Sequence, residues 1–331
     1  MLTFYRTFCR IILGVAAVLV LSESVPAHPG SGIVVDRLGQ IYFLDTGSGL
    51  WKIDTGGGLS HLSPLRNHWL AIDENNSFTQ ARLPTDPGRD WVITAAGSNP
   101  TLLISTDFSL VIGQDGNLYY PSARETNVRI MRKSPSGPPS AWLTLPRSVA
   151  GAALSWINGL ATGPNGSIYY TEDNAVRKIT REGRVSTIAT VTTALTDRPP
   201  TPGVEKSPYL RGLKVDANGV VYVADVADAR VLKITPDGKV VTILQLERPW
   251  APTDVAVFGE VVYVLEFTHD AGDDRTTWMP RIRKITPDGR STIILTVDQM
   301  PNARPAKPTE RVSYNLFSVE FWLLLARSIF V

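Results

Sequence analysis

Cysteine is almost missing from this chain, with Cys9 the only one in 331 residues. It falls in a leading stretch where Arg6 and Arg10 precede the apolar run "IILGVAAVLVL" (11–21) and the small-residue stretch "VPA" (25–27) follows. A basic start, a short apolar run and an A-x-A-like site read as a secretory signal peptide cut after Ala27. Export to a periplasm or to the cell exterior is therefore expected. An uncleaved anchor would need roughly 18 or more apolar residues, more than this run supplies. Without residues 1–27 there is no thiol nucleophile, no thiolate metal ligand and no disulfide, so the fold must rest on its core.

Net charge is equally scarce. It is +2 for the whole chain and falls to +1 when Arg6, Arg10 and Glu23 leave with the leader. Lysine and arginine are scattered, which argues against a nucleic-acid partner. The chain also lacks G-x-S-x-G in a strand–helix setting, H-E-x-x-H and a phosphate-binding glycine loop, so the common hydrolase and nucleotide signatures are absent.

What the chain does have is apolar content, 43%, with 26 glycines and 24 prolines, a composition that disfavours disorder and suits many turns. Those turns recur. Six similar starts appear: "SGIVVD" (31–36), "HWLAID" (68–73), "FSLVIG" (108–113), "NGLATG" (158–163), "RGLKVD" (211–216) and "TDVAVF" (253–258). A turn follows each, several of them Asn-Gly or Asp-Gly, which tolerate positive φ. A second strand such as "IYFLD", "IYYTE" or "VVYVAD" comes next, then a third such as "LWKID", "VRKIT" or "VLKIT". Another glycine turn leads to a fourth, as in "VVTILQ". Only the second copy is loose, with "RDWVIT" and "TLLIS" as its later strands.

Four strands in each of six copies predict an all-β, six-bladed propeller, because a lone meander cannot cover both its faces while neighbouring blades can. The expected boundaries are a signal peptide (1–27), the propeller (28–298) and a proline-rich linker with an apolar tail (299–331). The tail, "NLFSVEFWLLLARSIFV" (315–331), carries Glu320 and Arg327. It is read as docking on the propeller, lying at a membrane interface or mediating association.

The wording of the copies resembles known families. "GLKVDANGVVYVADVADARVLKITPDGKV" (212–240) resembles an NHL repeat, and "NGLATGPNGSIYYTE" (158–172) resembles both NHL repeats and the SMP-30/gluconolactonase-like propellers. The SMP-30 resemblance implies a divalent cation such as Ca²⁺ in the central opening, bound by three oxygen ligands. Asn158, in "INGLA", matches one of them. Ser31 and Arg211 stand where the other two are expected, and a guanidinium would repel a cation.

The residues just ahead of each first strand are expected to ring the central opening on its entrance face: Ser31, His68, Phe108, Asn158, Arg211 and Thr253, with Asp254 one step inward. Around them stand Asp45, Glu172, Asp173, Asp225, Asp228, Glu266 and His269, from the ends of the second strands. Asp36, Asp73 and Asp216 read as turn-holding residues, and so do Asp225 and Asp228. Trp156 beside Asn158 would suit a sugar or another ring-shaped ligand. Arg211 would suit a carboxylate or phosphate through its two-pronged donor set, or simply pair with Asp254. His269 with Asp254 would suit acid–base chemistry. The sequence therefore suggests a ligand site made of Asn158, Arg211, Thr253, Asp254, Glu266, His269, His68 and Trp156, for a small molecule, glycan or protein. A metal-dependent lactone or ester hydrolase is the alternative.

Overall fold

The computed structural model describes residues 32–65, 67–79, 93–96, 99–105, 108–124, 127–146, 157–192, 209–268 and 279–296. The proposed signal peptide and the apolar tail lie outside them. Six antiparallel sheets follow one another along the chain. Blade 1 holds β1 (Ile33–Val35), β2 (Ile41–Asp45), β3 (Gly49–Ile53) and β4 (Leu59–Ser63). Blade 2 holds β5 (Trp69–Asp73), β6 (Ile93–Ala96) and β7 (Thr101–Ser105). Blade 3 holds β8 (Val111–Ile112), β9 (Leu118–Arg124), β10 (Asn127–Lys133) and β11 (Ser140–Pro146). Blade 4 holds β12 (Ile157–Thr162), β13 (Ile168–Glu172), β14 (Ala175–Ile179) and β15 (Val185–Thr190). Blade 5 holds β16 (Leu210–Val215), β17 (Val221–Asp225), β18 (Arg230–Ile234) and β19 (Val240–Gln245). Blade 6 holds β20 (Trp250–Phe258), β21 (Val261–Thr268), β22 (Pro280–Ile285) and β23 (Ser291–Thr296).

The turns are built as their composition suggests. Asp36 accepts the backbone N–H of Leu38 (3.0 Å) and Gln40 (2.8 Å), and Asp216 those of Asn218 and Val220 (both 2.9 Å). Gly39 and Gly219 take φ of 83° and 78° in these turns, a conformation that costs glycine nothing. Asp73 holds Asn75 and Phe78 in the same way. The expected structural role of these three aspartates is observed.

Burial falls from the first strand of a blade to the last. The segment 221–225 is wholly buried, whereas 240–245 is largely exposed. Two neighbouring blades share each apolar cluster. Phe43 and Trp51 of blade 1 pack with Leu265 and Phe267 of blade 6. Leu44 packs with Leu70, Leu103 with Leu118, Ile130 with Ile168, Val176 with Val223, and Val231 with Val264, which together cover the remaining five interfaces. The first strands also touch in cyclic order, β1 with β5, β5 with β8, and so on until β20 meets β1. The sheets thus close into a six-membered ring.

Blade 2 departs from the expected four strands. Among the described residues it has three, and β7 rather than β6 lies beside β5. The chain between β5 and β6 contains Pro84 and Pro87, which lack a ladder donor, so it reads poorly as a central strand. "TLLIS" takes the inner place instead, anchored where Asn76 Oδ1 accepts Thr101 N–H at 2.7 Å.

Candidate functional site: the central channel

Aligning the six inner strands sets Gly32, Trp69, Ser109, Gly159, Gly212 and Asp254 at one level of the ring. Glycine is required where neighbouring strands come closest. A Cβ on Gly32 would lie 2.8 Å from Leu70 Cβ, and one on Gly159 would lie 2.5 Å from Arg211 O. Three blades carry something else at this level, and they shape the channel.

Asp254 fits against Gly212, where a Cβ would collide with its Oδ1 and come within 2.7 Å of its Cα. Its Oδ2 accepts Ile33 N–H from blade 1 at 3.1 Å, joining the last blade to the first, and its Oδ1 accepts Val255 N–H at 2.8 Å. Burial pushes its pKa up to about 7 despite those two bonds and the nearby Lys214 and Arg211. Trp69, from blade 2, faces blade 5 across the axis. The Arg211 guanidinium of blade 5 lies over its ring, 5.8 Å from the centroid. Arg211 is only 4% exposed, and burial lowers its pKa to about 10, so it stays charged at neutral pH. It forms a crosspiece over the channel and is not an open anion receptor on the entrance face. Ser109, the third exception, is 1% exposed, and among the described residues its Oγ has no hydrogen-bond partner.

Beneath the crosspiece lies a cavity of about 300 Å³. Ser109, Lys214 and Asp254 line it, and its walls run on to Arg37, Glu74 and Asn75 in the turns after the first strands. Its mouth is therefore on the turn side, opposite the entrance face to which the sequence directs attention. Lys214 is half-buried, and desolvation lowers its pKa against the pull of Asp254 and Glu74.

The other residues expected at the site have local employment. Asn158 Nδ2 donates to Leu210 O at 2.9 Å, and its Oδ1 accepts the Tyr209 hydroxyl at 3.0 Å, so it ties blade 4 to blade 5. Thr253 is fully buried, its hydroxyl directed at Leu265 O. His68 is buried, and Phe108 belongs to the apolar cluster between blades 2 and 3. Glu266, 0% exposed, accepts from Arg281 and, at 2.6 Å, from Arg283, while Arg281 stacks 3.7 Å over Trp250. Glu172 with Arg177, and Asp225 with Arg230, repeat this acid–arginine pairing in blades 4 and 5. Asp225 also accepts from Tyr209 and Asp228 N–H, as its turn-holding role predicts. His269, Trp156 and Ser31 lie outside the described residues.

Among the described residues, no three His, Cys, Asp or Glu side chains converge in a group suited to a metal ion. The donor set near Asn158 fits a cation poorly on its own chemistry. Both ends of its amide are engaged, and a guanidinium shares its ring.

Residues 140–267 match the SMP-30/gluconolactonase/LRE-like region, a stretch that includes all of blades 4 and 5. The resemblance seen in the repeat wording is thus borne out there. No curated protein matches the chain by sequence. Similar solved structures include selenomethionine-substituted virginiamycin B lyase from Staphylococcus aureus (14% identity, 80% of this chain and 83% of that one, TM-score 0.46). They also include a gluconolactonase from Xanthomonas campestris (14%, 74% and 84%, 0.47) and a protein of unknown function from Bacteroides thetaiotaomicron (14%, 79% and 70%, 0.50). The last of these likenesses is one of fold.

Proposed function

We propose that this chain is an exported binding propeller that takes a small polar molecule into the cavity beneath the Arg211–Trp69 crosspiece. One observation carries the reading. Ser109 Oγ is buried, without a partner among the described residues, on the wall of a cavity at the low end of the size range of ligand pockets. An unsatisfied buried hydroxyl costs about 1–3 kcal/mol, so a ligand or ordered water that completes it is favoured. The leader pattern of residues 1–27 supports export.

The test is ligand-induced stabilisation. A panel of small sugars, polyols and organic acids is screened by thermal shift against the chain and against Ser109→Leu, which fills the cavity. The reading expects at least one compound to raise the midpoint of the chain and to lose that effect in the variant. A panel without any response, or a response that survives in Ser109→Leu, would overturn it.

The second reading, a lactone or ester hydrolase, draws its support from the family match over residues 140–267. In the form suggested by the sequence it requires a cation near Asn158, and the surrounding residues do not suit one. No catalytic step is assigned on that basis.

A further inference from the structure

We infer that the cavity ligand is a small organic acid whose carboxylate is bound by Lys214, with Ser109 giving the same molecule a second hydrogen bond. This rests on the reading of the cavity as a binding site and identifies the class of molecule it takes.

The argument is an account of donors and acceptors. Each carboxyl on the cavity wall is already held by backbone N–H groups. Asp73 accepts from Asn75 (3.2 Å) and Phe78 (2.8 Å), Glu74 from Arg37 (2.9 Å), and Asp254 from Ile33 and Val255. The Arg37 side chain reaches Asn75 Oδ1 at 3.4 Å. Besides the polar groups of Arg37, Asn75, Gln114 and Thr162, two donors stand deeper on the wall, among the inner strands. Among the described residues Ser109 Oγ has no hydrogen-bond partner, and the Lys214 ammonium lines the same cavity, partly stripped of its hydration. An ammonium with three protons and a hydroxyl call for a group rich in acceptors that brings one negative charge. A carboxylate meets this need. A neutral sugar would offer the ammonium acceptors but no charge beyond that of Asp254 and Glu74. A dianionic phosphate would set its second charge against Glu74 and Asp254.

The position of the lysine points the same way. At the equivalent place the other five blades carry Val34, Ala71, Val111, Ala161 and Ala256. The fold therefore does not need a cation there. It bears the cost of desolvating one in a single blade, at the wall of the cavity.

The groups facing Lys214 set the pH response. Asp254 and Glu74 are close enough to act on its charge, Arg211 acts on Asp254, and Arg37 stands at the mouth. A rise in pH removes the proton from Asp254 near 7, and burial makes the lysine lose its proton more readily than a free one. Both steps disfavour an anion, so affinity falls as pH rises.

The experiment measures binding of acetate, lactate and gluconate, with glucose and inorganic phosphate as contrasts, by calorimetry at pH 6 and pH 8.5. Lys214→Met, Lys214→Gln and Ser109→Ala are compared with the chain. Lys214→Met suits the apolar company of its five counterparts, and Lys214→Gln guards against any misfolding of the first. The expected result is binding of a monocarboxylate that is tighter at pH 6, lost in both lysine variants and weakened about fivefold in Ser109→Ala. Binding of glucose equally by the chain and Lys214→Met would overturn the acid and leave the cavity reading standing. Preference for phosphate would overturn the monoanion. If these probes and the broader panel all fail to bind, the acid and the cavity reading fall together.

Discussion

Among the six residues that follow the channel level by two positions, five are valine or alanine and one is Lys214, and the difference has a measurable consequence for stability. A half-buried ammonium that has lost part of its hydration is a cost to the folded state. Lys214→Met should therefore raise the urea midpoint, by a stabilisation on the order of 1 kcal/mol, while removing acid binding. A lower midpoint would show that the lysine supports the fold and weaken its assignment to a ligand. Asp254 predicts a pH dependence. Its carboxyl titrates near 7 when folded and near 4 when unfolded. Between these values the folded state holds the extra proton, so stability is greatest below about 4 and declines as pH rises to 7. The slope from this one group cannot exceed about 1.4 kcal/mol per pH unit. Glu74 and Asp225, also shifted upward by burial, slope the same way. The check is thus the difference between stability–pH curves for the chain and for Asp254→Asn, which should shrink as pH approaches 7. Gly212→Ala, finally, would drive a methyl group into Asp254 and should cost about 2 kcal/mol or more in chemical denaturation.

In blades 4, 5 and 6 the second and third strands are joined by an acid and its arginine, and blade 6 shows what that pairing is worth. Glu266, fully buried, compensates Arg281 and Arg283 together, whose side chains are 12% and 13% exposed. Its removal as Glu266→Ala leaves two guanidinium groups without their carboxylate and should cost about 3–5 kcal/mol. Cavity binding, measured on the fraction still folded, should be unchanged, because Glu266 does not line the cavity. Loss of binding with retained stability would return Glu266 to the ligand site that the sequence suggests. These pairs mark how far the sequence can be read. The strands were legible because side chains alternate toward neighbouring blades and aspartate–glycine turns repeat. The arginines were visible too, in "VRKIT", "ADARVLKIT" and "PRIRKIT", but only register shows that each reaches the acid at the end of the preceding strand. Asn158 looked exposed because its place in the repeat is at a ring entrance. Tyr209, separated from it by 51 residues, is what closes off its amide, and no local pattern reports that. Ser109 and Lys214 were open to detection as the residues that break the glycine and apolar columns of the alignment. Their importance became plain only once the turn-side cavity was seen.

Among the described residues, the ring closes without exchanging a strand between its first and last blades. Its seam is held by the apolar packing of Phe43 and Trp51 against Leu265 and Phe267, and by the Asp254–Ile33 hydrogen bond. The axis of such a ring is where a cation would be placed by analogy with the SMP-30 propellers. Here the Arg211 guanidinium crosses that axis to Trp69, and the Asn158 amide is engaged at both ends. A divalent ion would have to displace a fixed positive charge and two hydrogen bonds before gaining any carboxylate. The thermal midpoint should therefore be the same in EDTA as in excess Ca²⁺, Mg²⁺, Mn²⁺ or Zn²⁺. The measurement is sensitive, since a ligand at a hundredfold excess over its Kd adds about 2.7 kcal/mol to the folded state. A saturable rise with one ion, abolished by Asn158→Ala, would mean that the crosspiece swings aside and that the entrance face is the working one. The lactone or ester hydrolase would then take precedence over the binding propeller. An unchanged midpoint leaves the axis to arginine and tryptophan, and directs the search for a ligand to Lys214 and Ser109 on the turn side of the channel.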